Sequence, residues 1–117
     1  MKTDNVVQNK SYEFALKIVR VYKFLSQEKN EFVLSKQLLR SGTSVGANIE
    51  EAIGGQSKAD FFAKITIAYK EARESKYWIR LLRDSDYLTI KQSDDLLIDI
   101  EELLKIIGSI QKSIRNS

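Results

Sequence analysis

Residues 38–52 read Leu38-Leu39-Arg40-Ser41-Gly42-Thr43-Ser44-Val45-Gly46-Ala47-Asn48-Ile49-Glu50-Glu51-Ala52, and their spacing sets the reading of the whole chain. At about 100° per residue, Leu38, Gly42, Val45, Ile49 and Ala52 share one helical face, with Ser41, Ser44, Asn48 and Glu51 in a polar stripe beside it. A glycine inside a helix costs about 1 kcal/mol relative to alanine. Gly42 and Gly46, one turn apart, therefore predict a notch that receives another backbone or a bulky side chain. The stretch lacks the Gly-Lys-Ser/Thr ending of a phosphate loop, and mid-helix backbone donors are already occupied, which argues against nucleotide binding. Ser41, Ser44, Asn48 and Glu51, together with Glu71 further on, predict a polar network that fixes the register against a third helix, with Lys64 and Ser75 at its border. Contact of the same hydroxyls and amide with a ligand or nucleic acid is the alternative.

Working outward, three more amphipathic segments appear. Phe14, Ile18, Val21 and Leu25 place a first helix over residues 10–27, widened by Tyr12, Leu16, Val19 and Tyr22. Glu28 to Leu34 is predicted to be a connection, with Phe32 and Leu34 folded back onto the core. Ser35 is the expected N-cap of the second helix, residues 36–54, and the Gly54-Gly55 pair supplies a left-handed stop. Ser57 caps a third helix over 58–84, with Asp60 near the positive end of its dipole. Thr89 and Gln92 fit a capping box for a fourth over 90–114, whose stripe is Leu96, Ile100, Leu103, Ile107, Ile110 and Ile114. Its acids come early and Lys105, Lys112 and Arg115 late, the polarity that suits a helix dipole. Short links between four such helices predict one all-α domain, residues 1–117, folded as an antiparallel up-and-down four-helix bundle.

Composition narrows the chemistry. The 117 residues contain no Cys, His or Pro, which removes disulfides, thiolate zinc sites, the usual general base near neutral pH and every catalytic triad built on His or Cys. Met1 to Lys10 has no apolar run resembling a signal peptide, and no segment approaches the roughly 20 apolar residues of a membrane span. A cytoplasmic protein without membrane partner or cofactor is expected. Net charge is only +3, but residues 1–40 carry eight Lys/Arg against four Asp/Glu, while residues 90–117 carry four against five. Such an uneven field steers polyanions or orders contacts between subunits.

The third helix carries more than one core face. Phe61, Ile65, Ala68, Ala72, Ile79 and Leu82 make its core stripe, and Ile67, Trp78 and Leu81, interrupted by Glu71 and Glu74, make a second apolar face. One bundle partner does not cover both, so Ile67, Glu74, Trp78 and Leu81 are expected at an interface between copies of the chain. A third arc holds Arg73, Lys76, Arg80 and Arg83, which with Lys17, Arg20 and Lys23 of the first helix offers phosphate contacts. A solvated face, or ion pairs with the acids of the fourth helix, is the competing account. Tyr69, Tyr77 and Trp78 suit base stacking or ordinary helix packing. Asp95, Asp99 and Glu102, one turn apart, read as an exposed acidic stripe rather than a cation site, because no second segment supplies converging ligands. Glu71 and Glu74 read as hydrogen-bond acceptors rather than an acid/base pair.

The segment from Leu38 to Ala52, followed by Lys70-Glu71-Ala72-Arg73-Glu74-Ser75-Lys76-Tyr77-Trp78-Ile79-Arg80-Leu81-Leu82, closely resembles the 23S rRNA intervening-sequence protein family. The resemblance extends from Phe14-Ala15-Leu16 to the last helix and also takes in a relative, the accessory protein of diversity-generating retroelements, a pentameric barrel that works with a reverse transcriptase and nucleic acid. It implies a bacterial four-helix bundle assembled as a homopentameric ring, with no catalytic residues to carry over. The function expected is a non-enzymatic oligomeric scaffold that binds RNA or DNA electrostatically and recruits a protein partner. The alternative is a protein-interaction module that binds no nucleic acid.

Overall fold

The computed structural model describes residues 2–117, with side chains from Val6 onward; Met1, part of the stretch read for a signal peptide, lies outside the described residues. The chain forms four α-helices: α1 Lys2–Glu28, α2 Leu34–Ile53, α3 Lys58–Asp84 and α4 Ile90–Arg115. Consecutive helices are antiparallel neighbours, as their cross-contacts show. The Gln8 amide donates to Glu50 at 2.7 Å between α1 and α2, Lys64 pairs with Glu51 at 3.0 Å between α3 and α2, and the Gln111 amide meets the Thr66 hydroxyl at 3.3 Å between α4 and α3. α4 closes the bundle against α1, while α1 and α3 lie diagonally and share no contact face. The bundle is 46 Å long and 21 by 19 Å across. No described helix is long and apolar enough to cross a membrane.

The expected stripes form the core. Phe14, Ile18, Leu38, Ile49, Ile65, Ile79, Ile100 and Leu103 are at most 1 % exposed. Burying one such side chain contributes about 1.5–3 kcal/mol. The notch at Gly42 receives Ile18, whose branched carbons lie where a glycine Cβ would stand, and Gly46 faces the Ser11 backbone. These two contacts set how closely α1 approaches α2.

The local caps hold where they are local. Ser57 accepts from the Asp60 amide at 3.0 Å, and Thr89 and Gln92 make the reciprocal capping box. Elsewhere the tertiary structure corrects the reading. α1 begins at Lys2 rather than near Lys10, because Val7, one turn above Ser11, continues the core stripe upstream at 1 % exposure. Ser35 is not the N-cap of α2; it sits inside the first turn, and Glu31 takes the capping role. The Glu31 carboxylate accepts from the amides of Val33, Leu34 and Ser35, at 3.2, 3.1 and 2.7 Å. Burial alone pushes its pKa up, but those three amides outweigh burial and hold it below the ordinary carboxylate range. Phe32 faces solvent instead of the core, 48 % exposed. The chain reverses there through Asn30 at φ 53°, and α2 ends on Gly54 at φ −81°, not in the left-handed conformation.

Candidate nucleic-acid interface

α3 and α4 pack side by side with a trough of about 800 Å³ between their outer faces. Arg73, Lys76 and Arg80 line it from α3, and Lys105 and Lys112 from α4. One carboxylate, Glu101, stands among these five cations, and Lys76 pairs with it. That contact is an ion pair without directed hydrogen-bond geometry, since Glu101 Oε1 has no hydrogen-bond partner. Arg73, Arg80, Lys105 and Lys112 pair with no carboxylate among the described residues. All four line the trough. Tyr69 and Tyr77 supply its aromatic wall, with Tyr69 resting over Gly108, where a Cβ would lie 3.7 Å from its ring.

The seven cations singled out from sequence do not form one surface. Arg83 lies outside the trough and bonds Asp84, Nε to Oδ1 at 2.7 Å, an arrangement that keeps the guanidinium pKa raised. Lys17, Arg20 and Lys23 belong to α1, diagonal to α3. Lys17 is held by Asp99 at 2.7 Å and Asp95 at 3.2 Å, and Lys10 by Glu102 at 3.0 Å. These acids of α4 tie α1 to α4 through cations, and among the described residues no acidic group is arranged to hold a metal. Arg20 and Lys23 are exposed on α1, and neither lines the trough. Lys105 and Lys112 were missed as site residues because their late position on α4 had a sufficient explanation in the helix dipole. The signal was present: Glu101, Lys105, Gly108 and Lys112 recur at four and three residues, one face of a helix.

The polar stripe of α2 divides in two. Ser41 is fully buried and its Oγ lies 3.0 Å from Ser75 Oγ, which also donates to the Glu71 carbonyl at 2.8 Å. Glu51 reaches Lys64 of α3. Ser44 and Asn48 instead bond carbonyls of their own helix, Arg40 at 2.6 Å and Ser44 at 2.8 Å. Arg40 crosses from α2 to grip Glu71 at 3.2 Å and Glu74.

Glu74 in turn accepts from the Trp78 indole N–H at 2.8 Å, and Trp78 packs partly against the chain's own core. Leu81 is half-buried, and Ile67 is 41 % exposed. Much of the second apolar face of α3 is thus occupied within the single chain, leaving Ile67 as its most accessible member.

Comparison with known proteins places this geometry. No curated protein matches the chain. A crystal structure at 1.70 Å of a protein with unknown function from the S23 ribosomal protein family of Bacteroides thetaiotaomicron VPI-5482 is 54% identical, covering 94% of this chain and 98% of that one, with a TM-score of 0.93. The family model for the 23S rRNA-intervening sequence protein matches residues 3–109. With nearly the whole chain matched by family and by structure, the protein belongs to the 23S rRNA-intervening sequence protein family.

Proposed function

We propose that the protein is a non-enzymatic scaffold that binds RNA or DNA through the α3/α4 trough. One observation carries this reading: five cations converge on a single concavity with one carboxylate among them, whereas on α1 Lys10 and Lys17 are engaged by acids of α4 and Arg20 and Lys23 do not line that concavity. Lys and Arg neutralise phosphates without reading bases, so binding is sequence-tolerant and salt-dependent. If all five cations meet phosphates, the slope of log K against log salt for a single strand is about −3 to −4, at roughly 0.7 per contact. The resemblance to the accessory protein of diversity-generating retroelements points the same way. The reading includes assembly into a homopentameric ring, for which Ile67 and the exposed edge of the Trp78–Leu81 face supply apolar contact.

Anisotropy titration of labelled RNA and DNA against salt tests the binding claim. Arg73→Glu with Arg80→Glu is expected to abolish binding at moderate salt, while Arg83→Glu, outside the trough, leaves it nearly intact. Absence of binding at low salt, or indifference to the Arg73/Arg80 pair, refutes the claim and favours the protein-interaction module. Sedimentation of the wild type and of Ile67→Glu tests assembly. A monomer in the wild type refutes the ring.

A further inference from the structure

We infer that the α3/α4 trough takes single-stranded rather than duplex nucleic acid, with Tyr77 as the platform on which an unpaired base stacks. The inference rests on the binding function proposed above and adds the form of the ligand. Tyr77 lines the trough and is 55 % exposed, so its ring is accessible to a ligand there. Its position is fixed from behind. The ring meets Trp78 edge-to-face at 5.0 Å and 74°, Trp78 is hydrogen-bonded to Glu74, and Glu74 is held by Arg40 of α2. A ring braced through three residues, with half its surface open to solvent, loses little freedom when a base settles on it.

The cations stand on both sides of this ring. Arg73 precedes Tyr77 by one turn, Lys76 adjoins it and Arg80 follows, while Lys105 lies on the opposing wall. Residues 69 to 80 span about 16 Å of helix, the length of roughly five stacked nucleotides at about 3.4 Å each. A strand lying in the trough can place phosphates on these cations and turn a base face to Tyr77. A duplex cannot, because its base faces are already stacked inside and are not available to Tyr77. Basic tracks interleaved with aromatic rings are the general solution for single strands.

The test uses the full chain, a labelled oligouridine of about a dozen nucleotides and an RNA duplex of the same length. Preference for the oligouridine by roughly tenfold or more is expected. Tyr77→Ala should remove most of that preference, Tyr77→Phe should retain it, and the salt slope should stay unchanged in both because no cation is lost. The single tryptophan, Trp78, touches Tyr77 and should change its fluorescence with oligouridine but not with inorganic polyphosphate. Equal affinity for the two RNAs, with no effect of Tyr77→Ala, overturns the inference while leaving the basic trough standing. Failure of both RNAs, and of single- and double-stranded DNA of the same length, to bind at low salt overturns the inference and the proposed function together.

Discussion

Substituting Gly42 by alanine puts the packing logic of the bundle to a quantitative test. In an open helix the change is favourable, by about 1 kcal/mol. Here the added methyl would stand 2.8 Å from Ile18 Cγ1 and 2.9 Å from Cγ2. Ordinary carbon contacts are about 3.5–4.0 Å, so Ile18 or the α1 backbone must retreat by roughly 0.7 Å or more. Rotation about χ1 offers no relief, because both branches are in the way and a β-branched residue in a helix has one strongly preferred rotamer. Overpacking of this kind costs about 1–3 kcal/mol, and the upper part of that range applies to a side chain with no exposed surface. Net destabilisation of about 1–2 kcal/mol follows, or a fall in Tm of about 3–10 °C for a chain of this size. Thermal and urea unfolding followed by Trp78 fluorescence at fixed protein concentration would measure it. Gly108→Ala is the control: its methyl meets only the Tyr69 ring at 3.7 Å, so the helix-propensity gain should survive and stability should rise by up to about 1 kcal/mol. A Gly42→Ala protein as stable as wild type, or a double variant with Ile18→Ala showing strict additivity, would refute the close contact.

Three further outcomes follow from the same contacts. Glu31→Gln should cost about 0.5–2 kcal/mol at neutral pH through loss of the charged cap of α2. Since the folded pKa of Glu31 is depressed, its contribution is present above the ordinary carboxylate pKa and disappears as pH falls through the lower folded value, so wild type and variant should converge in acid; parallel pH–stability curves would contradict this. Ser75→Ala leaves buried Ser41 short of a partner and should cost about 1 kcal/mol, whereas Ser41→Ala with Ser75→Ala should recover part of it, as chemical denaturation of the three variants would show. Lys17→Ala should cost only about 0.2–1 kcal/mol and less at high salt, because the Lys17, Asp95 and Asp99 side chains are each 31% exposed or more; a larger, salt-independent loss would mean that α4 depends on this ion pair far more than its exposure implies.

The residues that sequence reading placed well are those whose environment is set within a turn or two of the chain. Leu38, Val45, Ile49, Ile65 and Ile100 repeat at helical spacing and are buried; Ser57 and Thr89 cap helices through partners three residues away. Glu31 was missed as a cap because its carboxylate reaches forward only after the chain reverses at Asn30, a turn that no periodicity announces. Phe32, expected to fold back onto the core, is carried outward by the same turn.

By itself, the sequence determined the helical class, the faces that seek a core, the two local caps and the absence of His and Cys chemistry. These depend on neighbours within the same helix or on residue type. Only the tertiary structure decided which charges act together. Packing of α4 between α1 and α3 consumes Lys17 on one side and, on the other, brings Lys105 and Lys112 to Arg73 and Arg80 across a trough. Helical periodicity says which residues share a face of one helix, but a trough is made of two, and its residues meet only through the antiparallel register that the buried side chains impose.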